Sequence, residues 1–260
     1  MTTSPAAAEV QVIADGPVAH VRLHRPERLN ALRESTFREL RAALRRIGDD
    51  DTCRVVVLSG AGRAFSAGLD VEAGLGPRIP EILGVLRVGV ETITLLRDIP
   101  QPVIAAVGGH AVGAGFALAA ACDIRLASAD AVFTAPFVGI GMSAGDLGLS
   151  WLLPRQVGVS AAARLFYTAG SLGADEALRL GLVSEVARSA EETVAAALEL
   201  AATIARQPPL GVQETKSVLN SSVYGIGFRA HLEQELRAQA LCWSGGGAEI
   251  IRARFAARKG

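Results

Sequence analysis

The chain has 260 residues, 26 Lys+Arg against 26 Asp+Glu, and a composition that is 50% hydrophobic and 20% charged. A chain of this make-up buries roughly three quarters of its unfolded surface without a disulfide or metal staple, so it reads as a cored, water-soluble protein of one or two domains rather than a disordered tail. Zero net charge without clustered Lys/Arg excludes a general nucleic-acid binder, because affinity for a phosphate backbone comes from such clusters.

In chain order, the segment Met1 to Val10 is small and polar with neither a basic nor an apolar run, so no secretory signal is expected and the cytoplasm is the expected compartment. An apolar strand is predicted at Val18 to Leu23, then a polar loop from His24 to Asn30, then an amphipathic helix carrying Leu32, Phe37, Leu40, Leu44 and Ile47. Arg54 to Leu58 is a β-branched run ending in Ser59-Gly60, the pattern of a strand buried on both faces. Val103 to Cys122 lacks a charged side chain over a length that could span a membrane. Its glycines, alanines and His110 give little transfer energy, so no span is expected; it reads as a buried strand to Val107, a glycine turn, and a buried helix from about Ala114. A further strand signal at Ile124 to Ala127 completes an alternation that predicts an α/β core. After Pro154 the pattern is mostly helical, at 159–169, 174–181 and 190–206, with a break at Pro208-Pro209 and further helices near 211–222, 228–243 and 247–258. Cys53, Cys122 and Cys242 are widely spaced and suit free thiols in a reducing compartment. His20, His24, His110 and His231 fall into no metal-ligand spacing, so no metal is expected.

Two glycine-rich loops, each directly after a predicted buried strand, carry most of the chemistry. They are Gly60-Ala61-Gly62-Arg63-Ala64-Phe65-Ser66-Ala67-Gly68-Leu69-Asp70 and Gly108-Gly109-His110-Ala111-Val112-Gly113-Ala114-Gly115. Small residues let a ligand approach backbone N–H groups, and the second loop opens a helix whose N-terminus favours developing negative charge. Donors from separate loops converging on one oxygen would make an oxyanion hole. Tight strand-to-helix turns account for the same glycines, and both readings stand. Neither loop is a dinucleotide fingerprint or a Gly-Lys-Ser/Thr phosphate loop.

These residues, with Arg25-Pro26, Leu29-Asn30-Ala31-Leu32, Pro102 to Val107, Ala121-Cys122-Asp123-Ile124-Arg125, Gly139-Ile140-Gly141, Leu152-Leu153-Pro154-Arg155 and Gly181-Leu182-Val183, resemble the enoyl-CoA hydratase/isomerase, or crotonase, superfamily in order and spacing over nearly the whole chain. The resemblance implies an α/β fold built as a spiral of β-β-α turns. A core over 1–200 would bind acyl-CoA, and a C-terminal helical region over 201–260 would cap it or pack in a homotrimer or hexamer. It also implies fatty-acid metabolism, a coenzyme A thioester as substrate and no separate cofactor. By similarity, the thioester oxygen would sit between the N–H groups of Leu69 and Ala114, framed by Gly68, Gly113 and Gly115. The adenine end would rest on backbone around Ser66, Ala67 and Asp70. Arg28 is either a phosphate partner or a solvated loop charge.

The sequence departs from the hydratase pattern at its two glutamates, whose positions read Ala117 and Phe137. Neither residue can orient water or deliver a proton. One carboxylate stands nearby, Asp146 in Gly141-Met142-Ser143-Ala144-Gly145-Asp146-Leu147-Gly148, where the resemblance places the catalytic aspartate of some isomerases. Apolar neighbours should raise its pKa and suit it to general acid/base work, although Asp is also a favoured N-cap for a helix beginning near Leu147. Phe116, Phe133, Phe137 and Met142 read as walls of an apolar acyl channel or as core. Glu72 reads as a contact to a substrate tail or a solvated loop carboxylate, and His110 as a proton donor or a satisfied turn histidine. The expected reaction is double-bond isomerisation with Asp146 as acid/base; a hydratase with a non-standard acid/base set and a non-catalytic acyl-CoA-binding protein are the alternatives.

Overall fold

The computed structural model describes residues 8–72, 79–223, 225, 227–247 and 249–250. In chain order the strands and helices are β1 Val10–Asp15, β2 Val18–Leu23, α1 Glu34–Gly48, β3 Val55–Gly60, β4 Ala64–Ser66, α2 Ile79–Asp98, β5 Val103–Val107, β6 His110–Val112, α3 Ala114–Ala121, β7 Ile124–Ser128 and β8 Val132–Thr134. They continue as α4 Leu149–Val157, α5 Val159–Tyr167, β9 Ser171–Gly173, α6 Ala174–Arg179, β10 Glu185–Ala187, α7 Ala190–Ala205, α8 Pro209–Val223 and α9 Phe228–Cys242. Three-residue and four-residue 3-10 turns lie at Pro26–Arg28 and Phe137–Ile140.

The strands form a six-stranded sheet, β1-β2-β3-β5-β7-β10, and a four-stranded sheet, β4-β6-β8-β9. Consecutive strands β3/β4, β5/β6 and β7/β8 alternate between the sheets, and within each sheet their members pair in parallel. That is the expected spiral of β-β-α turns. In β3, Val56 and Leu58 face the main core with Phe37, Leu40 and Phe116, while Val55 and Val57 face a second cluster with Ala197 and Ala201 of α7. β5 divides the same way, Val103, Ala105 and Val107 against Ile104 and Ala106. Helices on both faces explain why these strands read as continuous apolar runs.

Several expectations shift. Leu32 lies before α1, in a β-bridge to Leu69, so the helix begins two residues later than its apolar spacing suggested. α4 starts at Leu149 and carries Pro154 inside it, so the helical part opens before Pro154. Phe116 and Phe133 are core residues rather than channel walls, both fully buried with ring centroids 5.3 Å apart. Part of the helix expected at 247–258 lies outside the described residues. α8 is anchored to the core by Lys216, whose Nζ donates to Leu96 O at 3.0 Å and Gln101 O at 2.8 Å and pairs with Asp123 Oδ2 at 3.1 Å. Asn220 adds a bond to Arg97 O at 2.8 Å. Cys53 and Cys122 are buried free thiols, the latter pushed up to about 12 by burial, which makes it unreactive. Among the described residues no helix is long and apolar enough to cross a membrane, and no group of His, Cys, Asp and Glu is placed to hold a metal ion.

Candidate active site

The two glycine loops meet. Gly68 has φ +89°, and a side-chain carbon there would fall 2.7 Å from Val112 O and 3.5 Å from Ala114 N, so only glycine lets the loops touch. Gly113 has φ +52° and ψ −114° and donates its N–H to Thr134 O at 3.0 Å, which aims the next residue, Ala114, along the axis of α3. A side chain at Gly115 would strike Ser66, with both Ser66 Cβ and O at 2.7 Å, so α3 sits directly on β4. Leu69 lies between Gly68, whose C=O accepts Leu32 N–H at 2.7 Å, and Asp70, whose N–H donates to Leu32 O at 2.8 Å. Among the described residues the N–H groups of Leu69 and Ala114 have no acceptor. In a low-dielectric site, such free donors are suited to an oxygen that gains negative charge.

The first loop is tied down by a buried polar network that the sequence did not reveal. Asn30, with φ +55°, accepts Arg25 N–H at 2.9 Å and donates to Ala61 O at 2.8 Å and Ala64 O at 2.7 Å. Arg25 pairs with Asp70 Oδ2 at 2.9 Å and lies 3.9 Å from Glu9 Oε2. Ser66 Oγ donates to Asn30 O at 2.8 Å and accepts Gly68 N–H at 3.2 Å. The signal for this network was present in Arg25-Pro26 and Asn30, since a turn-forming Asn tolerates left-handed backbone and brings a side-chain amide with it. Ala67 donates its N–H to Leu29 O at 2.9 Å. Thus Ser66, Ala67 and Asp70 direct their hydroxyl, N–H and carboxylate into this network. Arg28 is half exposed and ion-paired with Glu72, which is also exposed.

The second side of the site is apolar. The Phe137 ring, nearly buried, rests 3.8 Å from the side-chain position of Gly113. Ala117 is fully buried inside α3. Met142 donates its N–H to Phe137 O at 2.8 Å, yet its side chain is 55% exposed, so the structure joins it to the turn rather than to a closed channel. His110 is exposed on β6.

Asp146 lies on the loop leaving that turn. The capping alternative fails: α4 begins at Leu149 with Gly148 at its N-cap and no side-chain cap, and Asp146 contributes its carbonyl, which accepts Leu149 N–H at 2.9 Å. Its half-buried carboxyl group has no hydrogen-bond or ion-pair partner among the described residues, and burial raises its pKa above the ordinary carboxylate range. A raised pKa makes a carboxylate a stronger base than an ordinary one and suits it to taking and returning a proton.

Residues 14–241 match the family model of enoyl-CoA hydratase/isomerase. A probable enoyl-CoA hydratase of Mycobacterium tuberculosis is 39% identical over 84% of this chain and 79% of its own length. The human mitochondrial Delta(3,5)-Delta(2,4)-dienoyl-CoA isomerase is 40% identical over 76% of this chain and 64% of its own. Among solved structures, a probable enoyl-CoA hydratase/isomerase from Mycobacterium abscessus superposes with a TM-score of 0.88 at 35% identity, covering 96% of both chains. The chain therefore belongs to the crotonase superfamily and is an enzyme of the enoyl-CoA hydratase/isomerase family.

Proposed function

We propose that the enzyme isomerises a carbon–carbon double bond in an acyl-CoA thioester. The observation that carries this is the carboxyl group of Asp146, without a polar partner among the described residues and raised in pKa by burial, in a chain whose Ala117 and Phe137 supply no acid or base. On a 3-enoyl thioester, Asp146 takes a proton from C2, and the electron pair moves onto the thioester oxygen. The resulting dienolate oxygen accepts hydrogen bonds from Leu69 and Ala114, each such donor contributing ~3 kcal/mol to the transition state. The same carboxyl group then returns the proton at C4, which leaves the 2-enoyl thioester with no atom gained or lost. One carboxyl group suffices for this, whereas hydration needs a second group to activate water. A human relative named for an isomerisation supports the reading.

Coenzyme A would enter along the first loop. Its adenine would meet the Ser66–Asp70 backbone and its phosphate would draw Arg28 from Glu72; Phe137 and Met142 would border the acyl chain. Assembly as a trimer or hexamer is carried by α8 and α9, where Leu219, Leu232 and Leu236 stand exposed along a groove. The test is a paired assay, with wild type and Asp146→Asn: a 2-enoyl-CoA followed for loss of its enone absorbance, and a 3-enoyl-CoA followed for its appearance. Appearance that depends on Asp146 is the expected result. Loss of the 2-enoyl signal alone would instead establish hydration, favoured by the mycobacterial relative's name, and binding without turnover would establish a carrier.

A further inference from the structure

A carboxyl group without a polar partner has nothing of its own to fix its direction, so the backbone on either side must do it. Leu147, directly after Asp146, has φ +45°, and Gly148 follows at φ +81°. Left-handed backbone is costly for a side chain like leucine's and persists where the surroundings over-determine it. Here the surroundings are α1 and α2. Leu147 is buried, at 4% exposure, and a methyl group built on Gly89 would lie 2.8 Å from Leu147 Cδ2, 3.4 Å from its Cδ1 and 3.4 Å from Phe37 Cζ. Gly89 sits mid-helix, on the inner side of α2 beside the buried Val88 and Thr92, where glycine is itself unfavourable. Two locally unfavourable choices meet at one contact, and each makes sense only through the other: the missing side chain of Gly89 is the space that the Leu147 isobutyl group fills.

We infer that Leu147, seated in the notch at Gly89, is a positioning residue that holds the Asp146 carboxyl group toward the substrate. This rests on the acid/base reading of Asp146 above. The loop is thereby indexed to the α1/α2 core rather than to the ligand, so the carboxyl group is in place before substrate arrives. Preorganisation of this kind shows in turnover and not in binding, because a small displacement of a reacting group costs rate steeply.

The experiment compares Gly89→Ala, Leu147→Ala, Asp146→Asn, and Gly89→Ala with Asp146→Asn in the 3-enoyl-CoA assay, with melting temperatures alongside. Gly89→Ala should lower kcat by about 10-fold while KM moves by less than about twofold. It should also move the acid limb of the pH–rate profile to lower pH, because a displaced carboxyl group is better solvated. In the Asp146→Asn background Gly89→Ala should have no further effect. Should Gly89→Ala fail to fold, Leu147→Ala alone empties the same seat and carries the same kcat and pH readouts. The inference is overturned by a folded Gly89→Ala with full kcat and an unmoved acid limb, by an effect on KM alone, or by an equal loss in the Asp146→Asn background. Those outcomes leave Asp146 as the base, whereas a full rate in Asp146→Asn itself removes both readings.

Discussion

The segments 25–33 and 137–148 both border the junction of Gly68 and Gly113, and they are held by opposite means. The first is fixed by buried charge and amide: Arg25 against Asp70, and Asn30 bonded at both ends of its side chain. In the second, the side-chain hydrogen bond among the described residues is Ser143 Oγ accepting Gly145 N–H at 3.1 Å, and the rest is apolar packing of Phe137 and Leu147. The difference follows from what each must do. A frame for backbone donors gains from every polar tie, since ties fix N–H directions. A proton carrier loses by them, because a hydrogen bond or ion pair to the charged form would pull its pKa down and a fixed partner would compete for the proton.

The sharpest way to break this contrast is Asp146→Asn. Turnover on a 3-enoyl-CoA should fall by about 10²–10⁴-fold with binding retained. In wild type, the rate should decline as pH falls through the raised pKa of Asp146, since the base must be ionised to take the first proton. Stability should move the other way. The folded pKa lies above the unfolded one, so at neutral pH the charge costs the folded state, and that cost disappears below the ordinary carboxylate value of about 3.9. Asp146→Asn should therefore raise the melting temperature at pH 7, by an increment that shrinks to nothing on acidification. An unchanged or lowered melting temperature at pH 7 would mean the carboxylate has found a partner.

The polar side is tested by Asn30→Ala, which strands Arg25 N–H and the carbonyls of Ala61 and Ala64 in a buried site. The expected loss is ~2–4 kcal/mol in denaturant unfolding, with activity following stability. A loss under ~1 kcal/mol would show the frame to be held elsewhere.

What the sequence disclosed divides along the same line. β3 and β5 were legible because burial on both faces leaves an unbroken apolar run, and the glycine loops were legible because Gly68 and Gly113 occupy positions no other residue fits. The three-residue strands β4, β6, β8, β9 and β10 are too short to show a period. β1 was missed because most of it is exposed, and α2 because Gly84 and Gly89 interrupt its pattern. The notch that makes Gly89 intelligible joins residues 89 and 147, and no local window contains both. Leu32 misled for a related reason: its spacing suits a helix, but its partner is Leu69.

Phe137→Ala tests the apolar side. Removing the ring opens the space above Gly113 to water and should cost ~3–5 kcal/mol of stability, as the ring is nearly buried. The informative readout is the product: a hydrated thioester should begin to accompany the isomer, detected by chromatography. An unchanged product in a folded variant would mean that water is excluded by other groups.

The smallest structural effect belongs to Arg28→Ala. Arg28 and Glu72 are about half or more exposed, so their ion pair is screened by solvent and its loss should change stability by less than ~0.5 kcal/mol. Its value is in separating a loop charge from a ligand contact. If the guanidinium leaves Glu72 for a phosphate of coenzyme A, KM should rise by about 3–10-fold with kcat kept, and the rise should shrink as salt is added. Glu72→Gln should then lower KM, because it frees the same guanidinium in advance. A KM indifferent to both substitutions would leave the pair as a solvated surface contact, and the polar frame would end at Arg25.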